Sequence, residues 1–287
     1  MHLVARFTLI TLLLVLSVPD AGLEAQENAP SYYTRGLEQA LKADYPGARA
    51  AFAQALKMDP SYAPAQGSLE ILDDVQKGKI KSQTAGHLFK AAQHARKGDW
   101  AAAIAERTKA IELDPQYPVA YNGRGVNYHR RGWYDHAIRD YTKALELNPR
   151  YAPAYSNRGS ALLETGRFDE AIRDYSKALE LNPQDAATFF NRGNAYLVQG
   201  QFEAAIRDFT QAVKVNPKFA AAYLNKAVAC ERAGRNEEAL EAYRSYLQYA
   251  PPQEAEQISR ARRKVMELTT PEADSPKGPP PEKSKAK

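Results

Sequence analysis

The sequence predicts an all-α solenoid in which one helical hairpin is repeated along the chain. The first observation is a period: five prolines that each follow an apolar helical run are spaced 34 residues apart, and Pro60 closes an earlier run. The second observation is that the units defined by these prolines align position by position. A fixed period of about 20 to 50 residues is typical of solenoids. A chain of 287 residues with 44% hydrophobic side chains is also long enough for a packed core.

Counting back from the prolines gives six units, at 29–62, 84–117, 118–151, 152–185, 186–219 and 220–253. Positions in each unit are numbered here as places 1 to 34. Place 8 carries a small residue in all six units: Gly36, Ala91, Gly125, Gly159, Gly193 and Ala227. Place 20 carries alanine in all six: Ala48, Ala103, Ala137, Ala171, Ala205 and Ala239. Small residues at two such places let antiparallel helices approach closely, which predicts a helical hairpin in each unit.

The turns of the hairpin leave a signature of their own. Glycine fills place 15 in the five contiguous units and can adopt the left-handed conformation that ends a first helix. These glycines are Gly98, Gly132, Gly166, Gly200 and Gly234. Proline at place 32 lacks a backbone N–H and disfavours helix in the residue before it. Second helices are therefore expected to end near Asn148, Asn182 and Asn216.

The joint recurrence of spacing, small residues, aromatic residues and terminal proline resembles the tetratricopeptide repeat family over all six units. The resemblance implies a right-handed superhelix of helix pairs. It also implies a concave surface that is lined by first helices and binds peptides or protein segments. A family of RNA-reading helical repeats has a similar period of about 35 residues and is the alternative. The aromatic, glycine and proline places of this chain resemble those of the protein-binding family instead.

Residues 1–25 precede the repeats and differ from them in composition. Arg6 is followed by an apolar-rich run of 12 residues, 7–18, which meets Pro19. A membrane-spanning helix needs about 20 apolar residues, so this run is short for a permanent span and is typical of a secretory signal peptide. Cleavage is expected after Ala25 or Ala21, with an uncleaved anchor as the alternative. The predicted localisation is export, to a bacterial periplasm or cell envelope, or by secretion.

The segment 63–83 interrupts the period between the first hairpin, 29–62, and the five contiguous units at 84–253. One helix is expected within it, over about residues 62–76. An odd helix breaks the alternation of an antiparallel stack. We therefore predict a kink near Gly78 that separates the first hairpin from the regular array.

Two further segments follow the last unit. Residues 254–268 place Ile258, Val265 and Leu268 on an apolar side and basic residues elsewhere, which predicts a capping helix with a polar outer face. Contact of its basic cluster with anionic lipid is the alternative. Residues 269–287 are rich in proline, lysine and acidic residues and are predicted to be disordered.

Two charged places recur together in three consecutive units. Arginine at place 7 and aspartate at place 23 give the pairs Arg124 with Asp140, Arg158 with Asp174, and Arg192 with Asp208. In the next unit both places change, to Lys226 and Ala242. Both places lie near the seam between the two helices, so we predict structural ion pairs within each hairpin. Partly exposed pairs contribute about 0–1 kcal/mol, so their expected role is register more than stability. A ligand-facing arginine row is the alternative.

Asparagines form the candidate peptide-binding site. They occupy places 5, 6 and 9 of successive first helices: Asn122, Asn157, Asn191, Asn194 and Asn225. A carboxamide both donates and accepts, so it can hold a peptide backbone without reading its side chains. The alternative is that these amides cap or bridge neighbouring helices. In a subset of the family, lysines, arginine and asparagines clamp a C-terminal carboxylate. Asn157 matches one of those places, and the basic places are not matched.

Groups that could support catalysis are sparse. His87 and His94 are separated by about 10 Å along one predicted helix and occupy aromatic core places, so they are predicted to fill the core and not to share a metal. Cys230, the single cysteine, lies at a core place and is predicted to be a buried small hydrophobe. No phosphate-binding loop, zinc-protease or serine-hydrolase motif occurs. We expect no cofactor, no metal and no enzymatic activity.

A formal net charge of +5 is too small over this length to indicate nucleic acid as a partner. The predicted function is that of an exported scaffold that binds a peptide or protein segment in a concave groove. Membrane contact is expected only through an uncleaved signal. One alternative is an accessory subunit or regulator of a cell-envelope enzyme complex. The other is an enzyme in its own right.

Overall fold

A computed structural model describes residues 28–270, which form fourteen α-helices and no β-strand. The predicted signal peptide at 1–25 lies outside the described residues, as does all but the start of the tail at 269–287. Contacts divide the chain into two compact units, with the boundary between Lys79 and Ile80.

The first unit contains three helices: α1 (Ala29–Leu41), α2 (Tyr45–Met58) and α3 (Ala63–Gln76). The α1–α2 hairpin turns at Ala43, whose φ is +60°. Ala43 stands at place 15, where the five contiguous units have glycine. α3 lies in the segment 63–83, which interrupts the repeats, and it packs on α2. The kink near Gly78 concerns the joint between the two units and stays a prediction.

The second unit is a stack of five hairpins followed by a single helix. Its helices are α4 (Ser82–Arg96), α5 (Trp100–Leu113), α6 (Pro118–Arg130), α7 (Tyr134–Leu147), α8 (Ala152–Glu164), α9 (Phe168–Leu181), α10 (Ala186–Val198), α11 (Phe202–Val215), α12 (Ala220–Arg232), α13 (Asn236–Tyr249) and α14 (Ala255–Thr269). The place-15 glycines between the helices of each hairpin have φ values from +74° to +77°. Second helices end before the place-32 prolines, as at Asn148 and Asn182.

Packing explains why place 8 must be small. A Cβ on Gly159 would lie 2.9 Å from Cε1 of Tyr175, and one on Gly193 would lie 2.7 Å from Cε1 of Phe209. Neither separation leaves room for a methyl group, because carbon atoms in contact stay about 3.5–4.0 Å apart. The alanines at place 20 are 0% exposed in all six hairpins. The recurring small residues therefore set the close approach of the two helices.

The two sides of the stack differ in how closely neighbouring hairpins meet. First helices contact one another, α6 with α8, α8 with α10 and α10 with α12, whereas second helices of neighbouring hairpins approach less closely. A stack that is packed more closely on one side curves toward that side. The first helices α6 to α12 therefore line the inner face of the array.

The last helix, α14, packs against α13 and places Ile258, Ala261, Val265 and Leu268 in or against the terminal core cluster. Its outer side carries charged residues, including Arg260, which pairs with Glu256 one turn before it. This arrangement closes the stack with a polar surface. Within residues 28–270, no helix is both long and apolar enough to cross a bilayer.

Candidate functional site

The arginine and aspartate rows meet within each of the three central hairpins. Arg158 is typical: its Nε donates to Asp174 Oδ2 at 2.7 Å and its Nη2 donates to Asp174 Oδ1 at 2.9 Å. The same two bonds join Arg124 to Asp140, at 2.8 and 2.9 Å, and Arg192 to Asp208, at 2.8 and 2.9 Å. Each pair is bidentate, the geometry in which an arginine holds a carboxylate most strongly.

Each arginine also reaches back to the preceding hairpin. The Nη1 group of Arg158 donates to Thr142 Oγ1 at 3.0 Å, and the equivalent acceptors are Thr108 Oγ1 for Arg124 and Ser176 Oγ for Arg192. All three hydroxyls stand at place 25 of the unit before. One guanidinium therefore joins three helices from two hairpins. We call each such set an arginine clamp, formed by places 7 and 23 of one unit and place 25 of the unit before it.

Burial gives the clamps an electrostatic consequence. Asp140, Asp174 and Asp208 are 7%, 7% and 5% exposed. Hydrogen bonding to these carboxylates raises the pKa of the paired arginines above its usual value. The clamp residues thus satisfy one another inside the fold, which favours their structural interpretation over a ligand-facing row. In the following hairpin, Lys226 and Ala242 leave the clamp unformed.

Four of the five candidate asparagines bond to one another across neighbouring hairpins. Asn157 Nδ2 donates to Asn122 Oδ1 at 3.0 Å, and Asn225 Nδ2 donates to Asn194 Oδ1 at 2.7 Å. In both pairs the donor is the place-6 amide, while the acceptor stands at place 5 in the first pair and at place 9 in the second. These amides bridge adjacent first helices on the inner face.

Asn191 is the place-6 asparagine that this pattern leaves out. In the preceding unit, places 5 and 9 are Ser156 and Ser160, and both hydroxyls are occupied. Ser156 Oγ shares a 2.7 Å hydrogen bond with Thr188 Oγ1. Ser160 Oγ donates to the Ser156 carbonyl at 3.1 Å and accepts from the Tyr175 hydroxyl at 3.1 Å. Within residues 28–270, the side chain of Asn191 has no hydrogen bond, and it is half-buried.

The surroundings of Asn191 combine polar and apolar groups on one side of α10. Ala187, Asn191, Asn194 and Val198 recur at the three- and four-residue spacing that places side chains on one helix face. Ala187 is exposed, and Val198 is 63% exposed at the end of the helix. Val198 stands at place 13 of its unit, and the other contiguous units have charged residues there: Arg96, Arg130, Glu164 and Arg232. The α10 stripe therefore carries the Asn191 amide and, about 10 Å farther along the helix, an exposed apolar side chain.

The histidines and the cysteine sit apart from this face. His87 Nδ1 lies 2.7 Å from Glu106 Oε2, across the α4–α5 hairpin. The core role predicted for His94 is wrong, because its side chain is 37% exposed and lies at the end of α4, 3.5 Å from Asp99. Cys230 is 0% exposed, and burial raises the pKa of its thiol. No group of three or more histidine, cysteine or acidic residues is placed to hold a metal within residues 28–270.

Family models match the central and C-terminal hairpins. A tetratricopeptide repeat model matches residues 190–255, and a second TPR repeat model matches residues 127–166 and 159–200. No curated protein matches the chain at a significant level.

Solved structures match a larger part of the chain. A MamA protein is 25% identical, with a TM-score of 0.54, over 59% of this chain and 93% of that one. YrrB, described as a TPR protein with an unusual peptide-binding site, is 22% identical, with a TM-score of 0.53, over 68% and 99%. PilW, a type IV pilus biogenesis factor, is 23% identical, with a TM-score of 0.57, over 64% and 90%. Together with the hairpin geometry, these matches identify the fold as a solenoid of tetratricopeptide-type hairpins, and residues 127–255 as the part that matches the tetratricopeptide repeat family models.

Proposed function

We propose that this protein is an exported scaffold that binds an extended segment of a partner protein on the inner face formed by α6, α8, α10 and α12. The observation that carries the proposal is the amide of Asn191. It is the place-6 asparagine with no hydrogen bond among the described residues, and it stands between two asparagine pairs on this face. A half-buried amide in that position is satisfied by a ligand group or by water.

A peptide backbone supplies the groups that the Asn191 carboxamide needs. The side-chain oxygen accepts from a peptide N–H and the side-chain nitrogen donates to a peptide carbonyl, so the amide can hold the N–H and the C=O of one residue of an extended peptide at two points. One neutral hydrogen bond contributes only about 0.5–1.5 kcal/mol net. Further affinity has to come from apolar contact, for which the exposed side chain of Val198 is available on the same stripe.

The comparisons support the same kind of function. YrrB is described as having an unusual peptide-binding site, and PilW as a type IV pilus biogenesis factor. Export of this chain rests on the apolar run at 7–18, which has the length of a secretory signal. An interaction scaffold also agrees with the arginine clamps, which join each of the first helices α6, α8 and α10 to its own second helix and to the second helix of the preceding hairpin.

The experiment is affinity capture of the partner from the cell envelope of the source organism, with wild-type protein, Asn191→Ala and Asn157→Ala. We expect wild type to recover a stoichiometric protein and Asn191→Ala to recover at least threefold less of it at an unchanged unfolding midpoint. Asn157→Ala is the matched control at the same place of the preceding unit. It breaks an internal amide pair, so its main effect is expected on stability.

Full recovery of the partner by Asn191→Ala contradicts the proposed contact. The identity of the recovered protein also decides between a general scaffold and an accessory subunit, because an accessory subunit recovers a cell-envelope enzyme.

A further inference from the structure

One hairpin turn of the second unit carries an exposed tryptophan. Trp133 stands at place 16, directly after Gly132, and is 43% exposed. The other contiguous units have polar residues at this place: Asp99, Arg167, Gln201 and Arg235. The turn itself therefore does not require an indole. Exposed apolar surface that the fold does not need is characteristic of interaction sites.

The indole of Trp133 is held by its neighbours. The ring of Tyr128 stacks against it with 5.9 Å between centroids, and the ring of His136 lies 5.7 Å away. The guanidinium carbon of Arg131 is 3.9 Å from the indole centroid. A side chain that is already ordered loses little conformational entropy when a partner binds. Tryptophan, tyrosine and arginine also dominate the energetically important positions of protein interfaces.

A pocket of about 380 Å³ opens beside this group. Its lining residues are Gly132, Trp133, Tyr134, Asp135, His136 and Thr165. Thr165 belongs to the following hairpin, so the pocket lies between two successive turns. Its wall on one side is aromatic, and its volume suffices for one or two side chains.

The next hairpin provides a natural comparison, because an equivalent pocket occurs there with Arg167, Asp169 and Gln199 in its lining. Those polar groups satisfy one another or a neighbour. Arg167 Nε donates to Glu170 Oε1 at 2.7 Å, and Gln199 Nε2 donates to Asp169 Oδ1 at 2.7 Å. In the first pocket Thr165 takes the place of the glutamine, and its hydroxyl donates to Leu162 O of its own helix at 3.0 Å. The Trp133 pocket thus has an aromatic side chain where the second pocket has Arg167. Its described lining residues also lack a hydrogen bond like that between Gln199 and Asp169.

Two arginines directly precede Gly132 and Trp133 in the sequence, although neither of them lines the pocket itself. Arg130 and Arg131 are both exposed and make no ion pair within residues 28–270. Stacking on an indole orients a guanidinium but leaves its edge N–H groups able to hold a carboxylate in bidentate fashion. Asp135 is the acidic residue in the described lining, and its charge acts on Arg167 of the following turn, where it helps to raise the pKa of that arginine.

We propose that Tyr128, Arg131, Trp133 and His136, the Trp133 patch, form a second docking surface that is separate from the inner face. Its occupant is a segment of a protein partner that carries an acidic side chain next to an apolar one. The carboxylate binds Arg131, and the apolar side chain enters the pocket between Trp133 and Thr165. Charge complementarity with the unpaired arginines and the aromatic wall of the pocket select this occupant over a basic or purely polar segment.

The test is a selection of phage-displayed random peptides on the full chain. Binding of the selected peptides is then measured by fluorescence anisotropy against wild type, Trp133→Gln, Arg131→Gln and Asn191→Ala. Trp133→Gln is a matched change, because Gln201 stands at the same place of another hairpin. We expect peptides with adjacent acidic and apolar residues whose affinity falls at least tenfold in Trp133→Gln and Arg131→Gln. Asn191→Ala should leave their affinity unchanged, which keeps this surface distinct from the proposed groove.

Two results overturn the proposal. One is a selection that yields no peptide dependent on Trp133 or Arg131, or dependent peptides that are basic. The other is loss of binding to phosphatidylglycerol vesicles or to duplex DNA in Arg131→Gln, which assigns the arginines to a membrane or a nucleic acid. Unfolding midpoints are measured for both variants, and if Trp133→Gln is destabilised, Arg131→Gln alone decides.

Discussion

Replacing Arg158 by alanine is expected to lower the free energy of unfolding by about 2 kcal/mol. The arginine makes two bonds to Asp174, at 2.7 and 2.9 Å, and one to Thr142 of the preceding hairpin at 3.0 Å. Exposed ion pairs contribute about 0–1 kcal/mol, whereas removal of one partner from a buried pair costs about 3–5 kcal/mol. Side-chain exposures of 22% for Arg158 and 10% for Asp174 place this pair between the two cases.

Urea denaturation followed by far-UV circular dichroism measures the effect without the ionic screening that guanidinium salts introduce. A double-mutant cycle with Arg158→Ala and Asp174→Ala is expected to give a coupling of at least about 1 kcal/mol. Arg173→Ala is the matched control, since Arg173 is exposed and has no ion pair within residues 28–270. The reasoning is refuted if Arg158→Ala behaves like Arg173→Ala, or if the two single changes simply add. Loss of partner binding in Arg158→Ala at an unchanged midpoint instead assigns the arginine row to the ligand.

Three further predictions concern local packing and are read from urea denaturation. Ala43→Gly is expected to stabilise by about 1 kcal/mol, because glycine adopts the φ of +60° at this turn without steric cost, and an unchanged midpoint argues against this. Gly159→Ala is expected to destabilise by about 1–3 kcal/mol because its methyl group would meet the Tyr175 ring. Gly86→Ala, a helical control with open space around it, should stabilise by about 0.5–1 kcal/mol, and equal effects at the two glycines would exclude the ring as the constraint. Burial raises the pKa of Tyr175 to about 12 from the usual tyrosine value of about 10. The unfolded chain therefore loses this proton first, and stability should fall as the pH rises from about 10 to 12. Tyr175→Phe should reduce this loss, and an unaltered pH profile contradicts the assignment.

The repeated fold could be predicted from the sequence because its determinants are local and recur. The place-15 glycines all have positive φ, and the place-8 glycines all face an aromatic ring where they were expected to permit close packing. One sequence period thus reports both the turn and the packing of every hairpin. Ala43 shows the limit of this reasoning, because a left-handed turn forms there without glycine.

Contacts between hairpins were harder to predict. The clamp partners within a hairpin followed from places 7 and 23, but the hydroxyl of Thr142 was missed because it belongs to the unit before. Its signal in the sequence is the recurrence of threonine or serine at place 25, which acquires meaning only when the stacking of two hairpins is known. Each ion pair is also expected to contribute more than the ~0–1 kcal/mol predicted from the sequence. The reason is burial, because Asp174 as a whole residue is only 7% exposed.

The asparagine row shows the same limit on the inner face. Sequence spacing placed the five amides on first helices but could not tell which of them bond to one another. Asn122 and Asn157 are 35 positions apart in the sequence, whereas Asn194 and Asn225 are 31 positions apart. The two pairs therefore follow different spacings along one face. Among the described residues, the Asn191 amide is left without a partner because the hydroxyl groups of Ser156 and Ser160 already make other hydrogen bonds. Such a network can be recognised only in the three-dimensional structure.

The central claim is that the inner face, and not the outer one, contacts the partner. The most direct measurement is photo-crosslinking in living cells with benzoylphenylalanine placed at Val198, on the Asn191 stripe, or at Arg207, which is exposed on the second helix α11 of the same hairpin. The proposed function predicts a discrete cross-linked protein from position 198 that is absent from position 207. The same product from position 207, with none from position 198, contradicts it.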